Sequence, residues 1–109
     1  MSKPPIIIVG AARSGTKLLR ALVASSNEYA EVPHDVNYIW RYGSERYHHD
    51  ELPTDAATHS MKSFVKQQLN RMAAKNSNFQ SLPFVEKTVS NTLRLPLVDA
   101  VFPLSLIHI

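Results

Sequence analysis

Gly10 and Gly15 bracket the segment Gly10-Ala11-Ala12-Arg13-Ser14-Gly15-Thr16, and glycine at both ends lets a turn bring its backbone N–H groups close to one anion. Leu18, Leu19, Leu22 and Val23 follow at spacings of one, three and four, so the turn opens an amphipathic helix whose N-terminus adds partial positive charge at the same place. The chemistry such a loop serves is the binding of a phosphate-like group. Arg13, Ser14, Gly15, Thr16 and Lys17 are the candidate binding residues, although a lysine in a first helical turn is equally compatible with plain solvation. The Walker order is Gly-Lys-Ser/Thr, whereas here Thr16 precedes Lys17. One step along a helix turns a side chain by about 100°, so Lys17 is not expected to reach where the Walker lysine does. Nucleotide triphosphate hydrolysis therefore takes second place.

A further cation, Lys87, follows Glu86. It belongs either to the same charged site or to a surface salt bridge with Glu86, an interaction of little worth. Glu31, His34 and Asp35 follow the first helix and offer proton acceptors. His48-His49-Asp50-Glu51 contains metal-ligand residue types, but adjacent side chains diverge and a catalytic metal needs ligands converging from several places. We read it as a solvated loop and expect no metal site. The chain has no cysteine, which excludes a disulfide framework, a thiolate zinc site and a cysteine nucleophile together.

The elements that must position these residues read as follows. Ile6, Ile7, Ile8 and Val9 are β-branched and apolar on both faces, the pattern of a buried parallel strand. Ser25, Ser26 and Asn27 end the first helix by competing for its backbone hydrogen bonds. Residues 33–58 are irregular, polar and aromatic, a length at which a loop is usually functional or disordered. Ala57, Met61, Phe64, Val65, Leu69 and Met72 recur at helical spacing and predict a helix over about residues 56–75, with Asp55 as its N-cap. Residues 82–87 form a short candidate strand. A last helix begins near Pro96 and turns Leu97, Val98, Val101 and Phe102 inward. Both strand candidates are apolar and a long helical crossover separates them, so Val85 is expected beside Ile6–Val9 in parallel.

The 109 residues allow one compact domain, and 44% hydrophobic with 19% charged residues is ordinary globular usage. The mainly apolar run 4–12 is far short of the roughly 20 residues that span a bilayer, and it lacks the flanks of a secretion signal. No membrane span is expected, and a cytoplasmic location is compatible with the sequence. Twelve Lys+Arg against nine Asp+Glu give a net charge of +3, but the basic residues are scattered. Tyr38, Trp40, Tyr42 and Tyr47 have only Arg41 and Arg46 beside them, which argues against nucleic acid as a partner.

The run Ile7-Ile8-Val9-Gly10-Ala11-Ala12-Arg13-Ser14-Gly15-Thr16-Lys17-Leu18-Leu19 resembles the 5′-phosphosulfate loop of sulfotransferases that use 3′-phosphoadenosine 5′-phosphosulfate (PAPS). Arg13-Ser14-Gly15-Thr16 is the most specific part, while the family often has a second Thr or Ser where this chain has Lys17. Val85-Glu86-Lys87-Thr88-Val89-Ser90-Asn91, then Leu93-Arg94-Leu95-Pro96 and Val101-Phe102-Pro103, is similar to the family's Glu-Lys-Thr-Pro-Ser-Asn segment and following helix, with Val89 in place of the proline.

The resemblance implies an α/β fold of the P-loop NTPase-like kind, a truncated three-layer sandwich with a parallel sheet. Residues 1–103 then correspond to the N-terminal part of a sulfotransferase domain, and the family's Arg and Ser for the 3′-phosphate lie beyond Pro103. Residues 104–109 depart from the family's continuation and read either as a non-native tail or as a divergent terminal strand. PAPS is the implied co-substrate, with no metal. The implied reaction moves its sulfuryl group to a hydroxyl or amine of a carbohydrate or small-molecule acceptor. Arg13, Ser14, Gly15, Thr16 and Lys17 would hold the donor and Lys87 would meet the transferred group. Asp35-Val36-Asn37-Tyr38-Ile39-Trp40 is similar to the element that carries the base in the carbohydrate branch. Asp35 is accordingly the expected base and His34 the second choice, with Tyr38, Trp40 and Tyr42 either lining the acceptor cleft or packing. A nucleotide kinase and a non-catalytic nucleotide-binding module are the alternatives.

Overall fold

The structure, a computed structural model, describes residues 4–10, 15–26, 28–75, 83–103 and 105–108. Its strands are β1 (Ile6–Val9), β2 (Ala30–Glu31), β3 (Phe84–Lys87) and β4 (Leu106–His108); its α-helices are α1 (Thr16–Ala24), α2 (Asn37–Trp40), α3 (His59–Lys75) and α4 (Leu95–Val101). The strands form one all-parallel sheet in the order β2-β3-β1-β4. The expected neighbour pair is present, with Ile6 opposite Val85 and Ile8 opposite Lys87.

The chain moves in one direction across the sheet from β1 to β2 and in the other from β2 to β3 and from β3 to β4. Right-handed crossovers then place α1 on one face and α3 with α4 on the other. The packing agrees. Ile7, Val9 and Phe84 join Met61, Val65 and Leu69 of α3 and Leu97, Val98 and Val101 of α4 in the main core, while Ile8 and Val85, also buried, alternate to the α1 face. Each such aliphatic side chain contributes about 1.5–3 kcal/mol on burial. No helix of the described residues is long and apolar enough to cross a membrane.

Four features differ from the sequence expectation. The parallel sheet has two described strands, β2 and β4, beside the two candidates that side-chain pattern announced, and β4 falls in the segment read either as a tail or as a terminal strand. The added pairings, Ala30 with Phe84 and Ile8 with Ile107, are main-chain events in segments too short for a side-chain pattern. The irregular stretch 33–58 contains α2 and a 3₁₀ turn at Thr54–Ala56. Asp55 lies in that turn, and the cap of α3 is Thr58, whose Oγ1 accepts the Met61 N–H at 3.1 Å. Finally, Leu18 and Leu22 are 65% and 58% exposed, and the buried row of α1 is Thr16 and Arg20. The short strands beneath α1 cover a narrower arc than its apolar residues span, and the ion pair of Arg20 with Glu31 at 3.0 Å fixes which arc turns inward.

Leu97→Ala is expected to cost about 2–5 kcal/mol of unfolding free energy, whereas Leu22→Ala should stay within about 0.5 kcal/mol of the parent. Urea denaturation of both variants checks the orientation of α1.

Candidate functional site

In a parallel sheet the crevice at the carboxyl ends of two adjacent strands opens where their following connections leave for opposite faces. Here those strands are β1, which continues toward α1, and β3, which continues toward α4. Gly10 ends β1. Thr92, in the 3₁₀ segment Val89–Leu93 after β3, grips it twice: its Oγ1 accepts the Gly10 N–H at 2.9 Å and donates to the Gly10 carbonyl at 2.8 Å. The residues after Gly10 include Arg13 and Ser14, which lie outside the described residues. Gly15 follows with φ 90° and ψ 7° as the N-cap of α1, and its carbonyl accepts the Leu19 N–H at 3.0 Å. A Cβ there would meet no atom of the described residues within 4 Å, and what requires glycine is the left-handed backbone. Thr16 is buried in the first turn.

Beside this turn, Lys17, Arg20, Pro33, His34, Asp35 and Lys87 line a cleft of about 290 Å³. The sequence-derived cations Lys17 and Lys87 thus share one space with both base candidates. Lys87 Nζ lies 3.0 Å from Asp35 Oδ1, and Asp35 Oδ2 accepts the Val89 N–H at 3.0 Å. The salt bridge considered between Lys87 and Glu86 is absent for a geometric reason: successive side chains of β3 point to opposite faces. Lys87 looks into the cleft and Glu86 into the main core.

Glu86 is fully buried. Its Oε1 accepts Trp40 Nε1–H at 3.2 Å and the Thr88 hydroxyl. Thr88 Oγ1 in turn accepts the Val36 N–H at 3.1 Å, which ties β3 to the segment that carries Asp35. Burial pushes the Glu86 carboxyl up to about 7 against the lowering effect of the bonds from Thr88 and Trp40.

Trp40 belongs to the core and not to an acceptor cleft. It is buried and packs edge-on against Phe102 with ring centroids 5.9 Å apart. Tyr42 stacks on Phe64 at 4.1 Å, and Tyr38 is 70% exposed. Neither Tyr38 nor Tyr42 lines the cleft, because α2 turns them away from it.

A second polar cluster holds the loop in place. Asp50 accepts from Asn37 Nδ2 at 3.2 Å, Arg41 Nη1 at 3.1 Å and Ser90 Oγ at 3.0 Å. Buried Arg94 donates to Asn91 Oδ1 at 2.8 Å and Asn37 Oδ1 at 2.6 Å. The Asn37 hydrogen bond, followed by Ser90, the Arg94 charge and Arg41, holds the Asp50 carboxyl below the usual range against the effect of burial. Burial lowers the Arg94 guanidinium to about 10 against the charges of Asp50 and Glu86. Asp50, which belongs to the run His48–Glu51 read as a solvated loop, is thus a structural anchor that ties residues 37–50 together. Among the described residues no group of three or more His, Asp or Glu is placed to hold a metal ion.

Sequence reasoning missed Arg20, Asp50, Glu86, Arg94 and Thr92. Arg20 stands one helical turn after Thr16 on the same side of α1, but the apolar pattern of Leu18 and Leu22 pointed that helix the other way, and the other four carried no signal. No protein-family model, curated protein or solved structure matches this chain.

The buried carboxyl gives a pH test. Between 4.5, its ordinary value, and about 7, folded Glu86 keeps a proton that the unfolded chain releases. Stability conferred by that proton is complete below pH 4.5 and is lost as pH rises through about 7. The loss amounts to about 3 kcal/mol. Urea midpoints across this window should fall with pH in the parent relative to Glu86→Gln; parallel curves for the two proteins would show that Glu86 titrates normally.

Proposed function

We propose that the cleft is the phosphosulfate side of a sulfuryl-transfer site that takes PAPS as donor and a hydroxyl or amine of a carbohydrate or small molecule as acceptor. The observation that carries this reading is the meeting of Lys17, Lys87, His34 and Asp35 in one cleft beside the left-handed Gly15 turn and the start of α1. Helices on both faces of the parallel sheet and a glycine turn between β1 and α1 support the finer reading as a P-loop-like three-layer sandwich.

In this scheme the turn 10–16, with Arg13 and Ser14, and Lys17 receive the donor's 5′-phosphate. The acceptor oxygen attacks sulfur, the sulfur–oxygen bond to that phosphate breaks, and 3′-phosphoadenosine 5′-phosphate leaves. Positioning and positive potential do most of the work in such a transfer. Asp35 takes the acceptor's proton and His34 is the second proton acceptor on the same wall. Lys87, held on Asp35 at 3.0 Å, is the cation within reach of both groups. Its transfer from the carboxylate to the leaving phosphate would uncover a lone pair on Asp35 as charge develops. The scheme uses no metal.

Calorimetry in the presence of EDTA is expected to show binding of adenosine 5′-phosphosulfate, which probes the 5′ side of the donor alone. Lys87→Ala should weaken that binding less than it slows transfer, for which a loss of about 10²–10³ is expected, by analogy with removing one oxyanion-hole donor. Magnesium-dependent ATP binding of equal or greater strength would favour a nucleotide kinase instead. Asp35→Asn should lower turnover from labelled PAPS by about 10²–10⁴ with donor affinity nearly unchanged. Collapse in His34→Ala with normal turnover in Asp35→Asn would move the base role to the histidine.

A further inference from the structure

Arg20 is the charged residue of the cleft that the transfer scheme leaves without a task. Its side chain is only 6% exposed, and its Nε donates to Glu31 Oε2 at 3.0 Å. Nη1 of the same guanidinium is buried and has no hydrogen-bond partner among the described residues. A buried donor left unanswered pays its full desolvation penalty, which is larger for a charged group, and a guanidinium presents its N–H groups in a fixed planar fork suited to oxyanions. The residue lines the cleft together with Pro33, His34 and Asp35. His34 and Asp35 are the residues placed above at the acceptor, whereas the donor is assigned to the turn 10–16 and Lys17. Arg20 stands a full helical turn deeper than Thr16, about 6 Å along the axis at 1.5 Å per residue.

We propose that Arg20 forms an oxyanion subsite for the acceptor, so that the molecule modified here carries a carboxylate or a similar anionic group close to its reacting hydroxyl. The ion pair with Glu31 orients the guanidinium and leaves Nη1 without a partner among the described residues. Lys17 and Lys87 on the same cleft add attraction for an anion, while a neutral sugar would leave Nη1 unanswered. Discrimination then comes from the cost of failing to satisfy a buried charged donor. The assignment of the anion to the acceptor rests on the transfer reading above; the anion subsite itself does not.

The test is a titration of the full chain, followed by NMR of the arginine Nε–H signals, with glucuronate, glucose and 3′-phosphoadenosine 5′-phosphate as probes. Glucuronate is expected to bind at least about tenfold tighter than glucose, the ratio that one charge-assisted hydrogen bond of about 1.5 kcal/mol provides. Arg20→Lys keeps the charge opposite Glu31 but loses the fork, and should remove most of that preference while changing affinity for the nucleotide less than about threefold. In the parent protein the nucleotide should not displace glucuronate, a measurement that stands even if the variant fails to fold. Equal binding of glucose and glucuronate would overturn the subsite. Displacement of glucuronate by the nucleotide, or equal loss of both in Arg20→Lys, would assign Arg20 to the donor and overturn the acceptor proposal. Glucuronate binding through Arg20 with no nucleotide binding at all would keep the anion subsite and remove the transfer reading.

Discussion

The parallel register of β1 on β3, with Ile6 opposite Val85 and Ile8 opposite Lys87, decides where every charged group of the cleft stands. It brings the carboxyl ends of both strands to one edge. Gly10 therefore comes within reach of Thr92, and Lys87 within reach of Asp35, across gaps in sequence too long for any local interaction to close. The pleat then sorts β3 by face: Phe84 and Glu86 enter the main core, and Val85 and Lys87 face α1. A shift of one residue in this pairing would exchange the two sets and put Lys87 in the hydrophobic core. Burial of Ile7, Ile8, Phe84 and Val85 around the pair holds the register against that exchange.

Around this frame the chain buries more charge than a stable core needs. Glu86, Arg94 and Arg20 are each nearly or fully excluded from water, and each keeps a polar atom with no hydrogen-bond partner among the described residues. Groups of this kind lower stability unless their geometry is well satisfied. The bonds of Glu86 and Arg94 share a direction: Trp40, Val36 through Thr88, Asn37 and Asp50 all fasten the segment 34–50 to the sheet edge. The arrangement fixes an irregular segment in one position over the cleft, a placement that apolar packing of a loop would specify less sharply.

How much of this was legible in the sequence depends on the kind of signal. The β-branched run Ile6–Val9, the helical repeat of Met61, Val65 and Leu69, and Pro96 in the first turn of α4 announce their elements because side-chain periodicity and backbone restriction are local properties. The parallel neighbour relation of Ile6–Val9 and Val85 followed from a crossover long enough to return in the same direction. The site candidates Lys17, Lys87, His34 and Asp35 do share one cleft. Ala30–Glu31 as a strand, Thr58 as the cap of α3 and the inward turn of Arg20 were not legible. The first depends on a partner strand distant in sequence, the second on a 3₁₀ turn that absorbs Asp55, and the third on an ion pair that outweighs the apolar pattern of Leu18 and Leu22. Trp40 stayed open between cleft and packing because aromatic alternation does not say which side of α2 faces the core.

The central claim is that Lys87 is held by Asp35 until an anion arrives over the Gly15 turn. A crystal structure with 3′-phosphoadenosine 5′-phosphate tests it most directly. The account predicts the 5′-phosphate at the start of α1, with Lys87 Nζ turned from its 3.0 Å contact with Asp35 Oδ1 toward the phosphate. A nucleotide bound away from that turn, or one that leaves the Lys87–Asp35 pair intact, would contradict it.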